Sequence, residues 1–129
     1  MDKPTDADIR ELNIAIARLC GIPVAIGAKW DGEPRYVHSD RFGKLWLHLG
    51  GARCVQPWSP ATSFDQAWEH LEPVLLAKDI HIHVSREPGL KPVVELWDTN
   101  TPGIYVAREA DTPAYAFCLA ASTLEDDGG

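Results

Sequence analysis

Two histidines, His81 and His83, form the pattern in this sequence that is most typical of metal binding. On a β-strand, residues i and i+2 project from the same face, so these two side chains could share one zinc ion. The pattern is more typical of polar residues on the exposed face of an alternating strand, and no C-x-x-C spacing accompanies it. The sequence therefore keeps a metal-dependent hydrolase using His81 and His83 only as an alternative and assigns no metal. A third ligand would have to come from His38, His48, His70, Glu95 or Cys54.

Motifs for nucleophilic catalysis and phosphate binding are absent from the sequence. It contains no G-x-S-x-G nucleophile elbow, and Gly50-Gly51 lacks the neighbouring residues of a phosphate-binding loop. Cys54 is the thiol least expected to be buried, whereas Cys20 and Cys118 lie in apolar helical patterns typical of buried, reduced cysteines. The sequence therefore favours a protein without catalytic activity and predicts no cofactor.

Five tryptophans are many for 129 residues, and those beside loops could form a binding surface. Trp58 precedes a helix start at Ser63, where free backbone donors favour an anion, and Arg108 could contact an anion as well. Trp97 and Trp30 lie at strand ends beside turns. The alternative is that these rings close the ends of the core. The sequence thus predicts five candidates for binding a nucleotide-like small molecule: Trp58, Ser59, Ser63, Trp97 and Arg108.

The composition is that of one globular domain spanning residues 1–129, with an ordered core over about 5–124 and a frayed tail at 125–129. The net charge of −7 disfavours nucleic-acid binding, because that affinity comes mainly from Lys and Arg. It disfavours an anionic membrane surface for the same reason. No signal peptide begins the sequence, and no apolar run could span a bilayer. We expect a cytoplasmic protein that binds neither nucleic acid nor membrane.

Apolar residues at helical spacing predict three helices. The first begins at the capping residue Thr5 and ends at Gly21, and the alanine-rich third helix has a proline in its first turn. The second begins at Ser63, where Gln66 three residues later predicts a capping box. Pro73 is expected to kink or shorten this second helix, because proline removes a backbone donor.

Alternating apolar and polar residues predict strands on both sides of the second helix. Three precede it, at 24–30, 35–38 and 45–49, with a turn at Asp31-Gly32. Three follow it, at 79–84, 93–97 and 104–106. Hairpin signals dominate, so we expect a mostly antiparallel sheet packed with three helices in the order α-βββ-α-βββ-α. This pattern predicts the α+β class, as an α-β-α sandwich in one compact domain.

Three segments carry a further pattern, which lies in order along the chain. Leu19-Cys20-Gly21-Ile22 ends the first helix, P-W-S-P-A-T-S at 57–63 leads into A-W-E-H-L at 67–71, and D-T-P-A-Y-A-F-C-L-A-A at 111–121 forms the third helix. Together they resemble a family of small phage and prophage proteins, the α/β/α ("ABA") sandwich domain proteins. The resemblance implies this sandwich fold, a phage or prophage origin and an unknown biochemical function, and it supplies no catalytic residues.

The sequence leaves two kinds of partner open. A small accessory protein without a catalytic set is expected to act by binding a host protein, and its acidic residues would suit a basic surface. The alternative is the binding or sequestering of a small molecule near Trp58. The oligomeric state is not specified, although an exposed edge at Leu45-Trp46-Leu47 would favour a homodimer.

Overall fold

The computed structural model describes residues 4–26, 35–49, 55–98 and 104–127. These residues form elements in the order α-ββββ-α-βββ-α, which confirms the predicted α+β class and adds one short strand. The helices are α1 (Asp6–Leu19), α2 (Phe64–Ala77) and α3 (Pro113–Asp127). The strands are β1 (Val24–Ile26), β2 (Arg35–Ser39), β3 (Leu45–Leu49), β4 (Val55–Pro57), β5 (Ile80–Ser85), β6 (Val93–Asp98) and β7 (Ile104–Glu109).

Some features of the sequence lie outside the described residues. They are Trp30, the turn at Asp31-Gly32, Gly50-Gly51, Cys54 and residues 128–129. The backbone of α3 continues to Asp127, three residues beyond the ordered core expected from the sequence.

The strands divide between two sheets, a partition that the strand patterns do not specify. The first sheet has the order β1-β2-β3-β4, in which β1 is parallel to β2 and the other pairs are antiparallel. The second sheet, β5-β6-β7, is antiparallel throughout. β3 therefore lies inside its sheet, whereas β5 forms an edge of the second sheet. This difference decides which strand could pair with another molecule.

One hydrophobic cluster joins both sheets to the three helices. The alanine-rich face of α3 allows close approach, and α3 packs against α1, α2, β6 and β7. Phe117 of α3 is fully buried in this cluster. Both sheets contribute fully buried residues: Val37 and Leu47 from the first, and Val94 and Leu96 from the second. The helices therefore connect two sheets that share no strand pairing in the described part of the chain.

Both ends of α1 follow the predicted signals. The Thr5 side chain accepts a hydrogen bond from the Asp8 backbone N–H, and the Asp8 carboxylate accepts one from Thr5. This reciprocal pair is a capping box. At the other end, Gly21 has a φ of 73°, a conformation that glycine adopts without a Cβ penalty. The predicted start and end of α1 are confirmed.

The start of α2 follows the prediction only in part. Ser63 caps the helix by accepting a hydrogen bond from the Gln66 N–H. The Gln66 side chain, however, does not return to Ser63; it accepts from Ser59 N at 2.6 Å and donates to the Pro57 carbonyl at 2.9 Å. Pro73 does not shorten the helix, which continues to Ala77. Pro73 is exposed, so its ring meets solvent on the outer side of the helix.

Candidate protein-binding groove

Trp58, the first predicted ligand-binding residue, is part of the core. Only 1% of this residue is exposed. Its indole Nε1 donates a 2.8 Å hydrogen bond to the backbone carbonyl of Asn13 in α1. The ring also meets the His70 ring edge-to-face, with 5.0 Å between the centroids. Trp58 therefore does not present a free face on which a planar ligand could stack, which corrects the expectation from the flanking prolines.

Residues 57–63, here called the Trp58 loop, are fixed to α1 through the buried side chain of Asn13. The Asn13 Oδ1 accepts from the Ala61 N–H at 2.8 Å, and its Nδ2 donates to the Ser59 hydroxyl at 3.2 Å. The Ser59 and Thr62 hydroxyls lie 2.6 Å apart. The hydroxyl of Ser63 is occupied by the helix cap. The two serines thus use these polar groups within the protein.

A groove of about 470 Å³ does open between α1, the turn that links β2 to β3 and the Trp58 loop, and Trp58 and Ser59 are among its lining residues. Arg10 and Lys44 bring positive charge to it, but both are engaged. Arg10 donates to the Gly43 carbonyl at 3.0 Å and to the Ser39 hydroxyl at 3.1 Å. The Lys44 Nζ lies 4.5 Å from the centroid of the Trp46 ring. This groove is the part of the described structure closest to the predicted small-molecule site.

Trp97 and Arg108 lie on the second sheet, in β6 and β7, whereas the Trp58 loop connects β4 of the first sheet to α2. Trp97 is 37% exposed and pairs with His81 across β5 and β6. Arg108 is in β7, where it lies opposite Val94 of β6. Its Nη1 donates a hydrogen bond to the Ala107 carbonyl at 2.8 Å. Three of the five predicted ligand-binding residues therefore lie in the Trp58 loop and two lie on the second sheet, so the five do not form one site.

His81 and His83 share an exposed face of β5, as their spacing predicts. The strand register places His83 opposite Glu95, which makes Glu95 the proposed third ligand nearest to them along the sheet. His38 and His48 instead lie on the first sheet and His70 lies on α2. Among the described residues, no group of three or more His, Cys, Asp or Glu side chains could hold a metal ion. The described geometry therefore gives the metal alternative no support.

The outer face of the first sheet carries ring contacts across β2 and β3. Tyr36 and His48 are stacked with centroids 4.3 Å apart, and His38 meets His48 edge-on at 5.8 Å. Burial and the neighbouring His38 lower the pKa of His48. β3, which contains Trp46, pairs with β2 on one side and β4 on the other. Leu45-Trp46-Leu47 is therefore an internal strand and does not offer the exposed edge that would favour a homodimer.

The thiols of Cys20 and Cys118, the two cysteines in the described part of the chain, are not activated as nucleophiles. Burial raises the pKa of the Cys20 thiol to about 11, and this thiol donates to the His70 carbonyl at 3.4 Å. Burial also raises the pKa of Cys118. A thiol with a raised pKa is protonated at neutral pH and is a poor nucleophile. Cys118 is a buried free thiol, as its apolar helical pattern predicts, whereas Cys20 is a free thiol that is only half-buried.

His70 is held in one neutral tautomer at the boundary between α2 and the first sheet. Arg35 Nη2 lies 2.8 Å from His70 Nδ1, and a guanidinium can only donate, so Nδ1 is the acceptor. The proton is then on Nε2, which is buried and has no hydrogen-bond partner among the described residues. Burial first, and the Arg35 charge second, lower the pKa of His70. Its role is structural, because its ring is used to anchor Trp58 and Arg35.

A second groove, of about 530 Å³, lies between α2 and β5 and has an apolar floor. Phe64 and Trp68 are one helical turn apart on α2, and their ring centroids lie 5.9 Å from each other. Each ring is also 5.9 Å from Phe117, which fixes both against the core. From β5, Ile82 and Val84 complete the floor. Here called the α2–β5 groove, it is lined by Phe64, Asp65, Trp68, Glu69, Ile82 and Val84.

The rim of the α2–β5 groove is acidic. Asp65 and Glu69 are exposed and, like the two aromatic residues, are one helical turn apart on α2. Residues at i and i+4 on a helix are neighbours on its surface. The groove therefore combines a row of partly buried aromatic rings with a parallel row of two carboxylates.

β5 forms the other wall of this groove and is an edge strand. It pairs with β6 on one side, and no strand in the described part of the chain pairs with its other side. An edge strand presents backbone N–H and C=O groups that can pair with another chain. The surface thus combines three features at one place: an apolar floor, an acidic rim and the edge of a strand.

Sequence reasoning identified the elements of this groove but not the groove. It predicted the apolar face with Phe64 and Trp68 and the half-buried strand with Ile82 and Val84. The spacing of Asp65 and Glu69 was the available signal for the acidic rim. The edge position of β5 has no local sequence signal, because it depends on which strands share a sheet.

Comparisons of the chain with protein-family models, with curated proteins and with solved structures found no match. The resemblance to the phage α/β/α sandwich proteins therefore stays a prediction. Within the described ranges, no helix combines the length and the apolarity that crossing a membrane requires.

Proposed function

We propose that the protein is a non-catalytic binding protein that holds a host protein in the α2–β5 groove. The observation that supports this proposal is the groove itself, where partly buried Phe64 and Trp68 stay accessible beside an edge strand. Aromatic residues in such positions are typical anchors of protein interfaces. The cytoplasm as compartment and a phage or prophage origin are parts of the same proposal.

The charge of the groove favours a basic partner. Asp65 and Glu69 border the apolar floor, and the chain carries a net charge of −7. Complementary charge accelerates association and excludes partners of the same sign. A basic surface on the host protein would therefore be selected over an acidic one.

Site-specific photo-crosslinking tests this proposal in cells that contain the partner. A benzophenone amino acid replaces Asp65 at the rim, where Glu69 and the apolar floor remain to hold the partner, and the matched control places it at Glu11, an exposed position on α1. We expect a discrete adduct with one host protein from position 65 and none from position 11. The adduct should be lost when Glu69→Lys is added. Equal adducts from both positions, or none from position 65, would contradict the proposal.

A small-molecule binder is the second candidate, and the groove of about 470 Å³ beside the Trp58 loop is the observation that favours it. Arg10 and Lys44 carry positive charge on the lining of this groove, which also contains the carboxylate of Asp6, so the excess of positive charge suits an anionic ligand. A thermal-shift screen against mono- and dinucleotides tests it, since a ligand that binds only the folded state raises the unfolding temperature. A shift that Lys44→Gln abolishes would support this candidate, and the absence of any shift would reject it.

A further inference from the structure

We propose that the occupant of the α2–β5 groove is an extended segment that adds to β5 as a fourth strand and carries arginines at alternate positions facing the groove. This inference rests on the proposed function and specifies the chemistry of the partner. Three observations carry it: the free edge of β5, the spacing of the acidic pair, and the mixed apolar and acidic lining.

The edge of β5 favours an extended backbone. In the described part of the chain, the second sheet ends at β5, whose outer side has no paired strand. The groove runs beside this edge, because Ile82 and Val84 line it together with α2. A segment that pairs with β5 would direct every second side chain into the groove and the others toward the face that carries His81 and His83.

The spacing of the acidic pair fits an extended segment. Asp65 and Glu69 are at i and i+4 on a helix, where Cβ atoms are about 6 Å apart. Alternate residues of a β-strand are separated by roughly 6.6 Å. Two groove-facing residues of an added strand could therefore each reach one carboxylate.

The lining selects arginine at those positions. The aliphatic stem of arginine covers apolar surface while its charged end reaches outward, which matches an apolar floor below an acidic rim. The planar guanidinium also stacks on aromatic rings such as Trp68 and pairs with carboxylates through two parallel hydrogen bonds. A lysine would provide the charge without the planar contacts.

A second copy of the chain is a poorer occupant. Pairing of β5 with β5 across a two-fold axis would place the two α2 helices on one side of a continuous sheet. The acidic pair of one copy would then approach that of the other, in a chain that already carries a net charge of −7. The strand edge and the charges together favour a basic segment from another protein.

Fluorescence anisotropy with labelled nine-residue peptides tests the inference on the full chain. The probe alternates threonine and arginine, and a block peptide of the same composition arranges its arginines as adjacent pairs separated by two threonines, so that no two of them are at i and i+2. Two further peptides carry backbone N-methyl groups on the arginines only or on the threonines only. In an added strand, one of these two sets points its N–H groups at β5 and the other points away, so each serves as the control for the other.

We expect the alternating peptide to bind at least about tenfold more tightly than the block peptide, since only the alternating peptide has arginines at i and i+2, on the one face that meets the two carboxylates. One N-methylated peptide should lose binding and the other should keep it. Binding should weaken about tenfold in Asp65→Asn/Glu69→Gln and change less than about twofold in Glu11→Gln/Glu87→Gln, which removes the same charge elsewhere.

The other outcomes overturn the inference. Equal binding of both N-methylated peptides excludes strand addition, and unchanged binding in Asp65→Asn/Glu69→Gln excludes recognition by the acidic pair. A crosslink from position 65 to a second copy of the chain would make the groove a dimer interface. If the peptides fail to bind while position 65 crosslinks to a host protein, only this inference fails; if both experiments fail, the proposed function fails with it.

Discussion

Two regions on either side of the Ser63 cap use tryptophan in opposite ways. In the Trp58 loop, the indole is 1% exposed and its N–H is paired with Asn13, so the ring stabilises the junction between the loop and α1. In the α2–β5 groove, Trp68 is only partly buried and lies beside two exposed carboxylates. The proline-flanked sequence around Trp58 thus serves to anchor the loop to α1. The candidate interaction surface instead arises where a helix, α2, meets the edge strand β5.

The largest expected effect comes from truncating the buried ring. Trp58→Ala should lower the free energy of unfolding by about 3–5 kcal/mol, because it removes a large buried side chain and leaves a cavity. Trp97→Ala is the matched control; Trp97 is 37% exposed and its loss should cost less than about 1 kcal/mol. Urea unfolding followed by circular dichroism measures both. Equal losses would contradict the distinction between an anchoring and a surface tryptophan.

The buried amide that fixes the Trp58 loop gives the next largest effect. Asn13→Ala should lower the free energy of unfolding by about 2 kcal/mol, because the buried N–H of Ala61 loses its acceptor. Glu11→Ala, at an exposed position of the same helix, is the control and should change stability by less than about 0.5 kcal/mol. The same urea titrations apply, and a neutral Asn13→Ala would show that the loop does not depend on this contact.

A pH-dependent effect is expected from His70, which packs against Trp58. Its pKa in the folded protein is below the ordinary value of 6.5, so the unfolded chain binds a proton more readily. The contribution of neutral His70 to the free energy of unfolding is fully present above about pH 6.5. It is lost as the pH falls through the pKa of His70 in the folded protein. His70→Gln should therefore flatten the fall in unfolding temperature between pH 7 and pH 5. An unchanged pH profile in His70→Gln would contradict the assignment of His70 as a neutral anchor.

The smallest effect on stability is expected in the α2–β5 groove. Asp65→Asn/Glu69→Gln should change the free energy of unfolding by less than about 0.5 kcal/mol, because both side chains are exposed. The same variant should lose partner binding, which separates the groove from the Trp58 loop. If this variant unfolds as readily as Asn13→Ala, the acidic pair has a structural role and the comparison between the two regions fails.

Local patterns predicted most of the elements of this fold. Thr5, Gly21 and Ser63 act through contacts within a few residues, so their sequence signals are sufficient to place helix ends. The Gln66 side chain shows where local patterns stop being sufficient. The sequence predicted that it would bond to the backbone of Ser63, whereas in the folded loop it bonds to the Ser59 N–H and the Pro57 carbonyl. Division of the strands into two sheets depends on contacts between distant segments, which a local pattern does not encode.

The candidate site was less predictable than the fold for the same reason. Periodicity left the burial of the proline-flanked Trp58 undecided, because that burial depends on Asn13, a residue far away along the chain. Phe64 and Trp68 were predicted as one apolar helical face, without any indication that part of this face borders a free strand edge. A binding surface that is formed between elements becomes visible only when their packing is known.

The most direct test of the central claim compares the indole N–H resonances of Trp58 and Trp68 in ¹⁵N-labelled protein during titration with the alternating arginine peptide. Single Trp→Phe variants assign the two signals. The account predicts that the Trp68 signal shifts on binding, while the Trp58 signal stays in place and exchanges slowly with solvent deuterium. A shift of the Trp58 signal with no change at Trp68 would contradict the account and move the binding site to the Trp58 loop.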